Sequence, residues 1–161
     1  MTDIWDAEAT VRSTLVTQVG TVTNVGNVYG YHRFCDDWTN FKTLFGYTPS
    51  GESTPVLRTW FVSCEGIPIL GQLSGGSFGA GIQTTLDYRV RGYFGVDDSA
   101  NSEQAGLVLA LKVQKALNDN SSLSPTSAYS AGLAQLTYQY ATWGGTLCHF
   151  AEISMPFQFN F

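Results

Sequence analysis

The feature that most constrains the fold is an alternation near the end of the chain. Leu147, His149, Ala151, Ile153, Met155, Phe157 and Phe159 alternate with Cys148, Phe150, Glu152, Ser154 and Gln158. Successive side chains on a strand point to opposite faces, so this period of two predicts a long strand with one buried face. Residues 82–96 show the same period. Leu86, Tyr88, Val90, Phe94 and Val96 point one way, and Asp87, Arg89, Arg91 and Tyr93 the other. Residues 56–64, β-branched and aromatic, predict a third strand that pairs with 82–96 as an antiparallel hairpin with an extended tip. Glu65-Gly66 begins a turn, and Pro68 restricts the residues beyond it to an edge or loop. Ala134, Leu136, Tyr138 and Tyr140 alternate with Gln135, Thr137 and Gln139, and Gly144-Gly145 marks the turn into the final strand.

Three stretches have helical spacing instead. Ile4, Ala7, Val11, Leu15 and Val19 share a face, with Asp3 as the expected N-cap and Gly20 as the stop. Asp36 or Asp37 caps a short second helix whose face is Trp38, Phe41, Leu44 and Phe45; Gly46 and Pro49 end it. Asp98 or Ser99 opens a third helix, with Leu107, Ala110, Leu111, Val113 and Leu117 as a broad apolar face. Residues 20–30 predict a loop or a short extended segment. The Gly/Ser stretch 71–81 and the Ser/Asn-rich stretch 119–132 predict flexible loops. The order α-α-β-β-α-β-β over residues 1–161 predicts a single α+β domain. Its expected core is one antiparallel sheet of four or more strands, with three helices packed on one face.

Charge narrows the function classes. Only 13 % of residues are charged, about half the usual fraction, while 14 % are aromatic. Eight Lys and Arg face 13 Asp and Glu, for a formal net charge of −5. That balance argues against a basic grip on nucleic acid. No apolar run approaches the ~18 residues of a membrane span. The acidic N-terminus lacks the pattern of an export signal, and three cysteines without a leader predict free thiols in a reducing compartment. A surface poor in charge and rich in aromatic groups has the composition of a subunit interface. The first expectation is therefore a subunit of an assembly; the alternative is a monomer with a neutral polar surface.

No motif predicts an enzyme, a metal or a cofactor. Gly75-Gly76-Ser77-Phe78-Gly79 matches G-x-S-x-G, with His149 downstream, but it sits in a Gly/Ser loop followed by a strand rather than a helix. His32, Cys35, Cys148, His149 and Cys64 are the available soft ligands. Cys148 and His149 are strand neighbours that point to opposite faces, which breaks a zinc site. Asp36 and Asp37, beside His32 and Arg33, suit a helix cap better than a catalytic pair. Arg58, Arg89 and Arg91 form a basic stripe only if their strands register. The final strand, with its pattern intact to the end of the sequence, is an exposed pairing edge unless a neighbour covers it.

The order of elements resembles the tail-terminator or tail-completion proteins of tailed bacteriophages, which join heads to tails at the neck. The resemblance is carried by the amphipathic helix Ile4–Val19 with its Val25–Val28 segment, the strand Asp87-Tyr88-Arg89-Val90-Arg91-Gly92-Tyr93, the helix Asn101–Asn118 and the closing Cys148-His149-Phe150-Ala151-Glu152-Ile153. It covers most of the chain, with residues 30–50 and 71–81 as additions. It implies a virion protein, made in the host cytoplasm, that forms a homo-oligomeric ring, expected as a hexamer. The ring caps the tail tube protein and joins it to the head-closure or connector protein. Genome DNA would pass through without specific binding, and no membrane is involved. The implied partner-binding loop is Gly75, Gly76, Ser77, Phe78 and Gly79. The implied subunit interface is Arg89, Arg91, Tyr138, Tyr140, Phe157, Phe159 and Phe161. A head-closure or connector subunit has the same layout, and a non-viral binding module of α+β type is a further alternative.

Overall fold

In the computed structural model, which describes residues 4–35, 37–72, 82–97, 101–119, 122–123 and 128–160, the closing alternation is one strand in the middle of a sheet. The elements in chain order are α1 (Ile4–Gly20), β1 (Asn27–Tyr29), α2 (Trp38–Phe45), β2 (Gly46–Tyr47), β3 (Val56–Gln72), β4 (Ile82–Gly95), α3 (Ser102–Asp119), β5 (Ser122–Leu123), β6 (Ala128–Ser130), β7 (Gln135–Trp143) and β8 (Thr146–Asn160). They form an α+β domain with the sheet order β1-β3-β4-β8-β6-β5. Strand β2 pairs with the start of β3, and β7 pairs with β8. Strand β8 is antiparallel to β4 from Gly95↔Cys148 to Gln83↔Asn160. Its other edge takes β7, from Trp143↔Thr146 to Gln135↔Ser154, and then β6, from Ser130↔Phe157 to Ala128↔Phe159. The final strand is thus paired on both sides, not left as an edge.

Three expectations about the sheet and the layers on it change. The sheet is mixed, because β1 runs parallel to β3 with Val28 opposite Trp60. Strand β3 does not end at residue 64. It continues to Gln72 past a register shift between Glu65 and Ile69, so the Glu65-Gly66 and Pro68 signals mark a bulge rather than a turn. The helices do not share one face. Helices α1 and α3 cover the face that carries Trp60, Val62, Tyr88, Val90, Ala151, Ile153, Met155, Phe157 and Phe159. Helix α2 covers the other face, where Phe41, Phe45 and Phe61 are buried against Tyr93 and Trp143. The reason is strand parity: Phe61 and Trp143 stand on the opposite side from Trp60 and Thr142, and together with Tyr93 they give the second face its own apolar end. Trp143 lies 4.5 Å from the rings of both Phe45 and Tyr93.

Local signals explain the element ends. Asp37 caps α2 by accepting from the Asn40 amide at 2.8 Å. Gly144 and Gly145, at φ +57° and +77°, make the tight β7–β8 turn that only glycine adopts without cost. Helix α1 buries Ala7, Val11, Leu15 and Val19 as predicted. Asp3, Asp36, Asp98 and Ser99 lie outside the described residues.

Helix α3 is rotated relative to the sequence expectation. Its buried residues are Gly106, Leu109, Ala110, Val113 and Leu117. Leu107 is 38 % exposed and Leu111 48 % exposed. Gly106 sets this rotation. The Tyr138 hydroxyl, which donates to the Glu103 carbonyl at 3.1 Å, fills the space that a side chain at 106 would need. The helix therefore lies close on β7 and turns Leu107 and Leu111 to its flank. Urea unfolding checks this. Leu117→Ala should cost about 2–5 kcal/mol by leaving a cavity, whereas Leu111→Ala should cost under about 0.5 kcal/mol, as an exposed position does.

Candidate interaction surfaces

Where α2 leaves it open, the second sheet face carries charged side chains that cancel one another. Arg91 opposes Phe61 on β3 and Glu152 on β8. Its guanidinium donates to Glu152 at 2.7 Å and to both Glu65 oxygens, the second at 2.8 Å. Arg89 reaches Glu152 at 3.4 Å. Two predicted interface arginines are thus brought together, but as a neutralised network. Arg58 does not join them. It sits on the opposite face by parity and donates to the Asn24 carbonyl at 3.0 Å, so the three-arginine stripe does not form. His32 stacks on Phe61 at 5.3 Å, beside the network.

The tyrosines of β7 make a different surface. Tyr140 is 53 % exposed, and its hydroxyl donates to a Glu103 oxygen at 3.2 Å. Tyr138 is half-buried. Burial, together with the Glu103 charge, pushes its hydroxyl up to about 12. Both rings pack on His149, which is fully buried. Gln114 donates to the Ala134 carbonyl, and Asn118 accepts from the Ala134 amide, each at 2.8 Å. Glu103, Gln114 and Asn118 thus lay one flank of α3 along β7. Leu107 and Leu111 share that flank at helical spacing, and Leu133 and Leu147 are exposed at the two ends of β7.

Phe157 and Phe159 have no part in that surface. Both are 0 % exposed in the core under α1 and α3, so a subunit contact through them is ruled out by their burial. Their even spacing fixes them on the same inward face as Ile153 and Met155. Gly75, Gly76, Ser77, Phe78, Gly79 and Phe161 lie outside the described residues.

Sequence reasoning missed two further features. Ser102 Oγ accepts from the Asp97 amide at 2.7 Å and lies 2.9 Å from His149 Nε2. The Oγ and Nε2 share one hydrogen bond, and the buried Nδ1 has no partner among the described residues. The pair fastens the start of α3 to β8. No sequence spacing announces it, because 47 residues separate the two. The second is an open groove of about 320 Å³ lined by Trp38, Phe41, Lys42, Pro55, Leu57 and Thr146 at the α2 end. Trp38 at its rim is exposed; earlier in the chain Phe34 is 92 % exposed, and Tyr31 is exposed beside Glu8, Arg12 and Val16 of α1.

Cys148 and His149 point to opposite faces, and all three cysteines are free thiols. Burial pushes the Cys64 and Cys148 thiols up, away from the reactive thiolate. Among the described residues, no group of three His, Cys, Asp or Glu side chains is placed to hold a metal, and no helix is long and apolar enough to cross a membrane. Comparison with known proteins finds no family model that matches the chain and no curated protein similar to it.

The ion network makes a pH prediction. The Arg91 guanidinium, donating to Glu65, holds the Glu65 carboxyl below the usual carboxylate range against the opposing pull of burial. A depressed carboxyl stabilises the fold fully above its ordinary value, and that stability is lost as pH falls through the depressed one. Urea midpoints should therefore drop on acidification, and Arg91→Gln should flatten part of that drop. The effect is small because Glu65 is partly exposed. An acid limb unchanged in Arg91→Gln contradicts the assignment.

Proposed function

We propose that this protein is a structural subunit of a bacteriophage neck: a tail terminator that forms a ring, caps the tail tube and joins it to the head connector. One observation carries the reading. A chain with only 13 % charged residues exposes apolar groups in two separate places. One is the α3–β7 flank, with Leu107, Leu111, Leu133 and Tyr140. The other is the exposed Trp38 with the α2 groove, on the opposite face of the sheet. A ring closes through head-to-tail contacts, which require two different surfaces on each subunit. Exposed patches of this kind mark contact sites with other proteins.

The ion network supports the same reading. Arg89 and Arg91 are engaged by carboxylates, so the polar sheet face offers no uncompensated basic stripe to phosphate. DNA passing such a face would meet little to hold it. The role is assembly, not catalysis. Residues 75–79, between the paired Gln72 and Ile82, are assigned to docking on the tube.

The test is a mass measurement by light scattering, with and without purified tail tubes, and an assay that joins heads to tails. On tubes the protein should form a terminal ring of about six copies, the number implied by the phage resemblance, with head-to-tail contacts between them. Deleting residues 74–79 should leave a folded subunit that no longer binds tubes. Failure of the intact protein to bind tube ends at any concentration overturns the reading; full joining by the deletion variant overturns the loop assignment.

A further inference from the structure

We propose that the free protein pairs with a second copy of itself through the outer edge of β7, antiparallel and centred on Gln139. One edge of β7 bonds to β8; among the described residues no strand bonds to the other. That edge carries a row of outward N–H and C=O groups along nine residues, about 30 Å at the usual rise.

Natural sheets guard such edges with charge, proline, bulges or brevity. The other edges here are guarded. Strand β3 carries the register shift between Glu65 and Ile69, and Pro68, which has no N–H. Strands β1 and β5 are three and two residues long. Strand β7 has none of these devices. Its sequence, QLTYQYATW, contains no charge, proline or glycine. An edge left open in this way calls for a covering strand.

The sequence of the edge selects the occupant. About Gln139 it is nearly symmetric in character: Tyr138 and Tyr140, then Thr137 and Ala141, then Leu136 and Thr142. A two-fold axis at Gln139 places Tyr138 opposite Tyr140 of the partner subunit on the helix-covered face. Aromatic cross-strand pairs of that kind stabilise antiparallel sheets. The same axis brings the exposed α3 flanks together and covers Leu107 and Leu111.

Charge points the same way. Each copy carries −5, so two copies repel over most of their surface. On the edge there is no ionised group, and the nearby Glu103 is engaged by Tyr140. Within the strand edge itself no like charges oppose each other; the Glu103 carboxylate on the flank keeps its charge. The contact is isologous and cannot itself close a ring. It is the state of the free protein, it does not rest on the neck reading, and a ring that uses the same flank forms only after the pair parts.

Sedimentation velocity on the full chain tests this. The wild type at micromolar concentration should sediment at twice 17.5 kDa. Gln139→Lys sets two like charges on the axis and should raise the dissociation constant at least ~10-fold, with an unchanged circular-dichroism spectrum. An equal mixture of Gln139→Lys and Gln139→Glu should restore the dimer, which no structural defect would do. Leu107→Glu, on the helix flank, should also weaken it. A wild type that stays at 17.5 kDa overturns the proposal. So does a dimer indifferent to both Gln139→Lys and Leu107→Glu. A hexamer indifferent to them overturns the two-fold pair and leaves the ring reading standing.

Discussion

The pairing of β8 along both its edges is the constraint on which the rest of the structure depends. Strand β4 takes one side and β7 with β6 the other, so the backbone groups of this strand are satisfied by neighbours on both sides. With the register fixed, every second side chain from His149 to Phe159 is forced inward. A slip of one residue would expose Ile153, Met155 and Phe157 and bury Glu152, which no stable sheet tolerates. The inward row is the floor on which α1 and α3 rest, and the Ser102–His149 bond fixes where α3 begins.

Two unlike surfaces result from that parity. The inward face is largely apolar, with Thr84 and His149 buried in it, and takes two helices. On the outward face Phe61, Tyr93 and Trp143 coincide in an apolar cluster, and there it takes α2. Elsewhere it holds the Arg89, Arg91, Glu65 and Glu152 network. Because Gly106 lets α3 settle against Tyr138, the helix leaves a leucine flank beside the unguarded β7 edge. The exposed leucine flank is thus a by-product of how the core is packed.

Most of the fold was legible in the sequence because period two and period 3.6 are strong over long segments. Strands β4, β7 and β8, helices α1 and α2, and the Gly144-Gly145 turn come from spacing alone. What was not legible depended on contacts between distant segments. Pro68 argued for a loop, but a bulge accommodated it within β3. Leu107 and Leu111 looked like core, because spacing cannot tell which of two adjacent helical stripes faces a sheet; Gly106 was the available signal. The placement of α2 could have been found from the shared odd parity of Phe61, Tyr93 and Trp143. Of the candidate interface, Tyr140 is on the surface, whereas Phe157 and Phe159 carried the same alternation as the core and belong to it.

The central claim is that the α3–β7 side of this protein is built for contact with another protein chain. Backbone hydrogen exchange at residues 135–143, followed against protein concentration, tests it most directly. The account predicts that exchange there slows as concentration rises, while α1 amides exchange at a constant rate. Exchange at 135–143 that stays fast and independent of concentration, alone and with tail tubes, would contradict it.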